Sequence, residues 1–118
     1  MASVRLKYRM FTGFDMSTAG TSISGSFNTL FIDDIGLQIM STGTPTGTYV
    51  FEASNDSTDG TNGTWFAVTL ASPPANPAGS GATVSASITF WCFAWLRMKY
   101  TRSSGSGTLD VIAVGKEL

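Results

Sequence analysis

From Ser3 to Phe11 the chain changes character at every residue. Arg5, Lys7 and Arg9 fall on one side of an extended backbone, and Val4, Leu6, Tyr8 and Met10 on the other. That period of two is the mark of a strand with one face against a core. A Gly/Ser/Thr segment follows from Thr12 to Ser26, with a short strand near Ser22. The run Phe27 to Ile32 predicts a further strand, closed by Asp33 and Asp34 as a turn. Ile35, Leu37 and Ile39 alternate with Gly36, Gln38 and Met40 up to the loop Ser41 to Gly47, which Pro45 punctuates. Thr48 to Ser54 sets Tyr49, Phe51 and Ala53 against Val50 and Glu52. With Trp65 to Leu70 it forms a hairpin around the polar loop Asn55 to Gly63.

The second half repeats the pattern. Pro73, Pro74 and Pro77 make Ala71 to Gly81 an exposed crossing loop, because proline has no amide proton to give a central strand. Thr83 to Phe90 and Ala94 to Thr101 alternate cleanly. Gly107 to Val114 completes the chain and pairs with the preceding strand as a terminal hairpin across the turn Ser103 to Ser106. The nearly apolar run Ile88 to Leu96 is far short of the about twenty residues a membrane helix needs, and reads as a buried strand pair or bend. Gly-Thr precedes a strand both at Gly47-Thr48 and at Gly107-Thr108, an echo that turn chemistry explains better than pseudo-symmetry between the sheets. About eight short strands in residues 1–118, with no helical segment, predict a single-domain all-β antiparallel β-sandwich. A jelly roll and a simpler immunoglobulin-like order both fit this string.

Composition supports that class. Fifteen Ser, sixteen Thr and 13 Gly crowd out the good helix formers. Only 13% of residues are charged, about half the usual share, and the net charge is -1. No overall field therefore draws the protein to nucleic acid or an anionic membrane. There is no His and one Cys, which removes His-based acid/base chemistry, Ser-His-Asp and Cys-His nucleophiles, structural zinc and intrachain disulfides. The expectation is a protein that is not an enzyme and has no cofactor or metal. The N-terminal residues carry no apolar signal segment, so secretion is not expected.

Five of the seven cations lie in two rows, Arg5/Lys7/Arg9 and Arg97/Lys99. Such rows fit a solvated face whose charges guard a sheet edge, or a salt-bridging subunit interface. Nucleic acid ranks last, because Tyr8 and Tyr100 alternate to the opposite face and could not stack on bases beside the charges. The loop Asn55 to Gly63 is rich in oxygen ligands, but it lacks the EF-hand spacing and its closing Glu, so an Asx-rich hairpin loop outranks calcium. Trp65, Trp91 and Trp95 could form a sugar platform or a core. Trp91 and Trp95 sit in a run apolar on both faces, which favours an interface, while Cys92 reads as an inert buried thiol. The interface candidates are Arg5, Lys7, Arg9, Trp91, Trp95, Arg97 and Lys99.

Two stretches, TGTYVFEASND with TWFAVTL and the closing WLRMKYTRSSGSGTLDVIAVGKEL, resemble small all-β virion proteins of bacteriophages. The resemblance implies a virion structural protein, either a capsid decoration or cement subunit or a minor component of the neck, tail or fibre. Its implied location is the virion and its implied partners are its own copies and a major capsid protein. The first stretch also resembles discoidin-like and carbohydrate-binding sandwiches, which imply a glycan- or receptor-binding module of a tail fibre or adhesin. A positive mean hydropathy of +0.14 with so few charges agrees with assembly, since burial between copies would cover a poorly soluble surface. On that view Thr12 to Ser26 and Ala71 to Gly81 lie on neighbouring subunits.

Overall fold

A computed structural model describes residues 5–89 and 91–117. Among them are nine strands and no helix: β1 (Arg5–Asp15), β2 (Thr21–Ile23), β3 (Phe27–Asn28), β4 (Ile32–Ser41), β5 (Thr46–Ser54), β6 (Phe66–Val68), β7 (Thr83–Ile88), β8 (Trp95–Ser104) and β9 (Thr108–Glu117). One sheet has the order β1-β9-β4-β7. The other has β2-β8-β5-β6, with β3 also on β8. The pairs β1 with β9, β2 and β3 with β8, β4 with β7 and β5 with β6 are all antiparallel and nested in sequence. This is one long antiparallel ribbon wound over two facing sheets, the jelly-roll order.

The alternation read from the sequence decides which side chains meet between the sheets. Ile35, Leu37 and Ile39 of β4 face Val111 and Ala113 of β9, and Leu96, Met98 and Tyr100 of β8 come from the other sheet, all buried. Tyr8 stacks on Phe27 across the sheets at the β1 side, with ring centroids 5.6 Å apart. β1 carries register shifts between Arg9 and Phe11 and again between Phe11 and Phe14. The first lets consecutive residues Met10 and Phe11 both enter the core, which strict alternation forbids.

Two expectations are corrected. Asp33 and Asp34 do not turn the chain; they lie inside β4, where a register shift between Ile32 and Asp34 absorbs the irregularity. The last two strands are not a hairpin, because β8 and β9 belong to different sheets and residues 105–107 cross between them. That crossing is zipped to the β4–β5 connection by Thr44 N–H to Ser106 O (2.8 Å) and Thr42 N–H to Thr108 O (3.0 Å). The long segments are also tied to their own chain at several points. Ser24 N–H donates to Met98 O and Gly25 N–H to Met10 O, while Gly47 N–H donates to Pro77 O and Gly81 N–H to Gly43 O. The β5–β6 hairpin is present, with Phe51 opposite Val68. Of the first predicted strand, Ser3 and Val4 lie outside the described residues, as does Phe90 of the seventh.

Candidate functional site

Because residues paired across antiparallel strands share a face, the register fixes what each sheet presents to its surroundings. On the β1-β9-β4-β7 sheet the outer rows are Arg5, Lys116 and Asp34; then Lys7, Val114, Gly36 and Ser87; then Arg9, Ile112, Gln38 and Ser85. Arg5, Lys7 and Arg9 are all exposed, and Lys116 opposite Arg5 extends their row. None of these four cations has a carboxylate within ion-pair distance among the described residues. Beside them the face turns small and uncharged. Gly36, Gln38, Ser85, Ser87, Ile112 and Val114, with Ser72 from the proline-rich loop, line an open depression of about 520 Å³.

The second basic row sits on the other sheet and is not free. Arg97 on β8 is directly opposite Glu52 on β5. Its Nε and Nη2 both lie 2.8 Å from Glu52 Oε1, and Lys99 Nζ is 3.4 Å from Oε2. The Arg97 guanidinium also covers the Trp65 ring, 4.0 Å from its centroid. The structure therefore joins Arg97, Lys99 and Trp95 on one face and sets Arg5, Lys7 and Arg9 on the opposite one.

Aromatic side chains collect at the end of the sandwich formed by the β3–β4, β5–β6 and β7–β8 loops. All three tryptophan N–H groups donate within the chain: Trp65 to Asn62 O, Trp91 to Thr29 Oγ1 and Trp95 to Ser57 O, at 3.0, 2.8 and 3.0 Å. Trp91 is 7% exposed and meets Phe93 edge-on, so it belongs to the protein's own core and not to a surface. Cys92, between them in sequence, is exposed, which corrects its reading as a buried thiol. Neighbouring residues Trp91 and Cys92 are buried and exposed respectively, so the apolar run is not covered on both faces. At the same end Leu30 and Phe31 stand 62% and 70% exposed, next to Leu6 at 41%.

The loop Asn55 to Gly63 holds itself closed. Asp56 Oδ1 accepts from Thr64 N–H and Ser54 Oγ; Asp59 Oδ1 accepts from the N–H groups of Thr61 and Asn62. Those amide bonds hold both carboxyls below the usual carboxylate range, so the loop stays anionic. Asn62 Oδ1 accepts from Ser57 Oγ and Thr58 N–H. This is the Asx-turn chemistry that the composition signalled. Among the described residues no three His, Cys, Asp or Glu side chains converge as metal ligands. Lys116, Glu52 and Thr29 were not singled out from the sequence: their partners Arg5, Arg97 and Trp91 lie 111, 45 and 62 positions away. Only the strand register could have brought Lys116 to Arg5.

No protein-family model matches the chain, and no curated protein matches it. Solved structures do share the fold. The SPBc2 prophage-derived protein YomS superposes with a TM-score of 0.56 at 12% identity, covering 97% of this chain and 96% of that one. A chain in the structure of infectious bursal disease virus Gx strain gives 0.52 at 16% identity over 98% of this chain and 32% of its own length. The propeptide form of Bacillus licheniformis lipase BlEst2 gives 0.53 at 16% identity over 95% of this chain and 22% of that chain. At such identities the likeness is one of architecture.

Proposed function

We propose that the protein is a bacteriophage virion structural protein, a decoration or cement subunit that stabilises a shell through contacts with its own copies and with a major capsid protein. The observation that carries this reading is the end-to-end match of the jelly roll to a prophage-derived protein of nearly the same extent. A chain in a virus structure with the same architecture supports it. So does the chemistry of the surface: four exposed cations with no carboxylate in ion-pair range among the described residues, an uncharged face and projecting apolar side chains suit docking. In this reading the protein is not an enzyme, carries no cofactor and resides in the virion.

The test is the mass of the purified protein by light scattering at low and high salt, with a search for the protein in purified particles. A closed oligomer, or the protein bound to particles in fixed stoichiometry, is the expected result. A monomer at every concentration that is missing from particles would overturn the reading in favour of a glycan- or receptor-binding module.

A further inference from the structure

Seven Lys and Arg residues are distributed very unevenly over the fold. Arg97 and Lys99 pair with Glu52, and Arg102, on β8 with them, donates its Nε to Gly105 O. The four that remain, Arg5, Lys7, Arg9 and Lys116, form one continuous strip on the outer face of β1 and β9. Alternate residues of a strand lie about 6.7 Å apart, so Arg5 to Arg9 spreads three charges over roughly 13 Å. The strip ends beside an apolar group, Leu6, Leu30 and Phe31, which share one surface concavity with Glu117. Val114, 37% exposed, lies between the strip and the uncharged centre of the sheet.

We infer that this strip and its apolar end form a docking surface for an acidic protein surface, and that the partner is not a second copy meeting it about a twofold axis. The charges select the partner. In a twofold contact through β1 each copy would set Arg5, Lys7 and Arg9 against the same cations, and like charges directly opposite destabilise a strand pair. The two register shifts in β1 and the Gly25 N–H to Met10 O bond further spoil that edge for strand pairing. Nucleic acid fits less well. Tyr8 faces the interior against Phe27, so the strip offers bases no aromatic platform, and Asp34 and Asp110 border it. A protein surface with carboxylates and an apolar hollow would answer both the cations and the Leu30/Phe31 projection, the usual pairing of charged rim and aromatic anchor. The identity of that partner as a shell protein rests on the proposed function; the strip's preference for protein carboxylates does not.

The experiment is a titration of the full chain, followed by amide chemical shifts, with poly-L-glutamate and separately with a 20-base-pair DNA duplex, at 25 and 250 mM NaCl. Poly-L-glutamate should shift residues 5–9 and 112–116, bind about tenfold more weakly at the higher salt, and be lost in the R5E/R9E variant. A Lys99→Gln variant, altered on the opposite face, should bind as the unaltered chain does. Shifts centred on Arg97 and Lys99, no saturable binding at 25 mM, or tighter binding of the duplex would each overturn the inference. None of these depends on whether the protein occurs in particles, so its failure is separable from failure of the virion reading.

Discussion

Arg97 and Glu52 sit directly opposite each other on β8 and β5, with the Arg97 Nε and Nη2 both 2.8 Å from one carboxylate oxygen. Their side chains are only 14% and 12% exposed, so the pair is largely out of water, and Lys99 leans on the second oxygen. Removing the anion from such a pair leaves its cations desolvated without compensation. Glu52→Gln should therefore cost about 3 kcal/mol, near the lower end for a broken buried pair because Lys99 can turn to solvent. Chemical denaturation of both proteins checks this. A change below about 1 kcal/mol would mean that the face is wetter than the geometry shows.

Thr29 is 1% exposed and serves two neighbours at once. Its Oγ1 accepts from the Trp91 indole N–H and donates to Phe93 O, at 2.8 and 2.7 Å. Thr29→Val keeps the shape and removes both bonds, stranding a buried donor and a carbonyl, which should destabilise by about 2 kcal/mol. Trp91→Phe removes only the donor and leaves Thr29 its bond to Phe93, but it also opens a space. Thermal unfolding of the valine variant is the cleaner measurement, and an unchanged midpoint would show that the hydroxyl is dispensable.

Acid should open the Asn55 to Gly63 loop before it unfolds the sandwich. Backbone amides bonded to Asp56 and Asp59 hold both folded-state carboxyls below their ordinary value. A group depressed in the folded state stabilises it above the unfolded value and ceases to do so as the pH falls through the folded one. The loop's contribution is thus intact at neutral pH and lost below about pH 4. Trp65 and Trp95 donate to Asn62 O and Ser57 O of this loop, so their fluorescence should change in that range. In a D56N/D59N variant the low-pH change should vanish; its persistence would assign the transition to other carboxylates.

The exposed Cys92 gives a simple reading of the β7–β8 bend. Native protein should react with a thiol reagent within a few-fold of the rate in denaturant, because an accessible thiol needs no opening event. Labelling that waits for denaturant would place the thiol back inside.

What could be read from the sequence was what depends on neighbours two residues away. Ile35, Leu37 and Ile39, or Leu96, Met98 and Tyr100, declare their buried face by alternation, and all six are buried. The sheet to which a strand belongs leaves no such local trace. Trp95 to Val114 looks like a hairpin because a short Gly-containing link joins two alternating runs, yet positive φ at Gly105 carries the chain across to the other sheet instead. The same limit hid the site. Arg5/Lys7/Arg9 and Arg97/Lys99 have the same alternating local pattern, and only pairing across the chain gives one row its counter-ion, Glu52, and lengthens the other with Lys116. Asp33 and Asp34 misled because Asp favours turns, a local preference that the β4 ladder overrides with one register shift.

That crossing at Gly105 can be tested against another glycine in the same backbone region. Gly105 has φ +84, and a Cβ there would press into the Thr44 carbonyl of the adjoining β4–β5 connection. Gly79 has nearly the same angle, φ +89, but its Cβ would meet only Thr46 Oγ1, at 3.9 Å. Gly79→Ala should therefore cost only the left-handed strain of a non-glycine residue, about 1 kcal/mol. Gly105→Ala must add a backbone collision that the Thr44 N–H to Ser106 O bond prevents from relaxing, and should cost at least about 3 kcal/mol in all. Paired denaturation curves give the difference directly. Equal losses would mean that the two connections slide past each other, and the close packing of the β8–β9 crossing would then not be what holds the last strand in its own sheet.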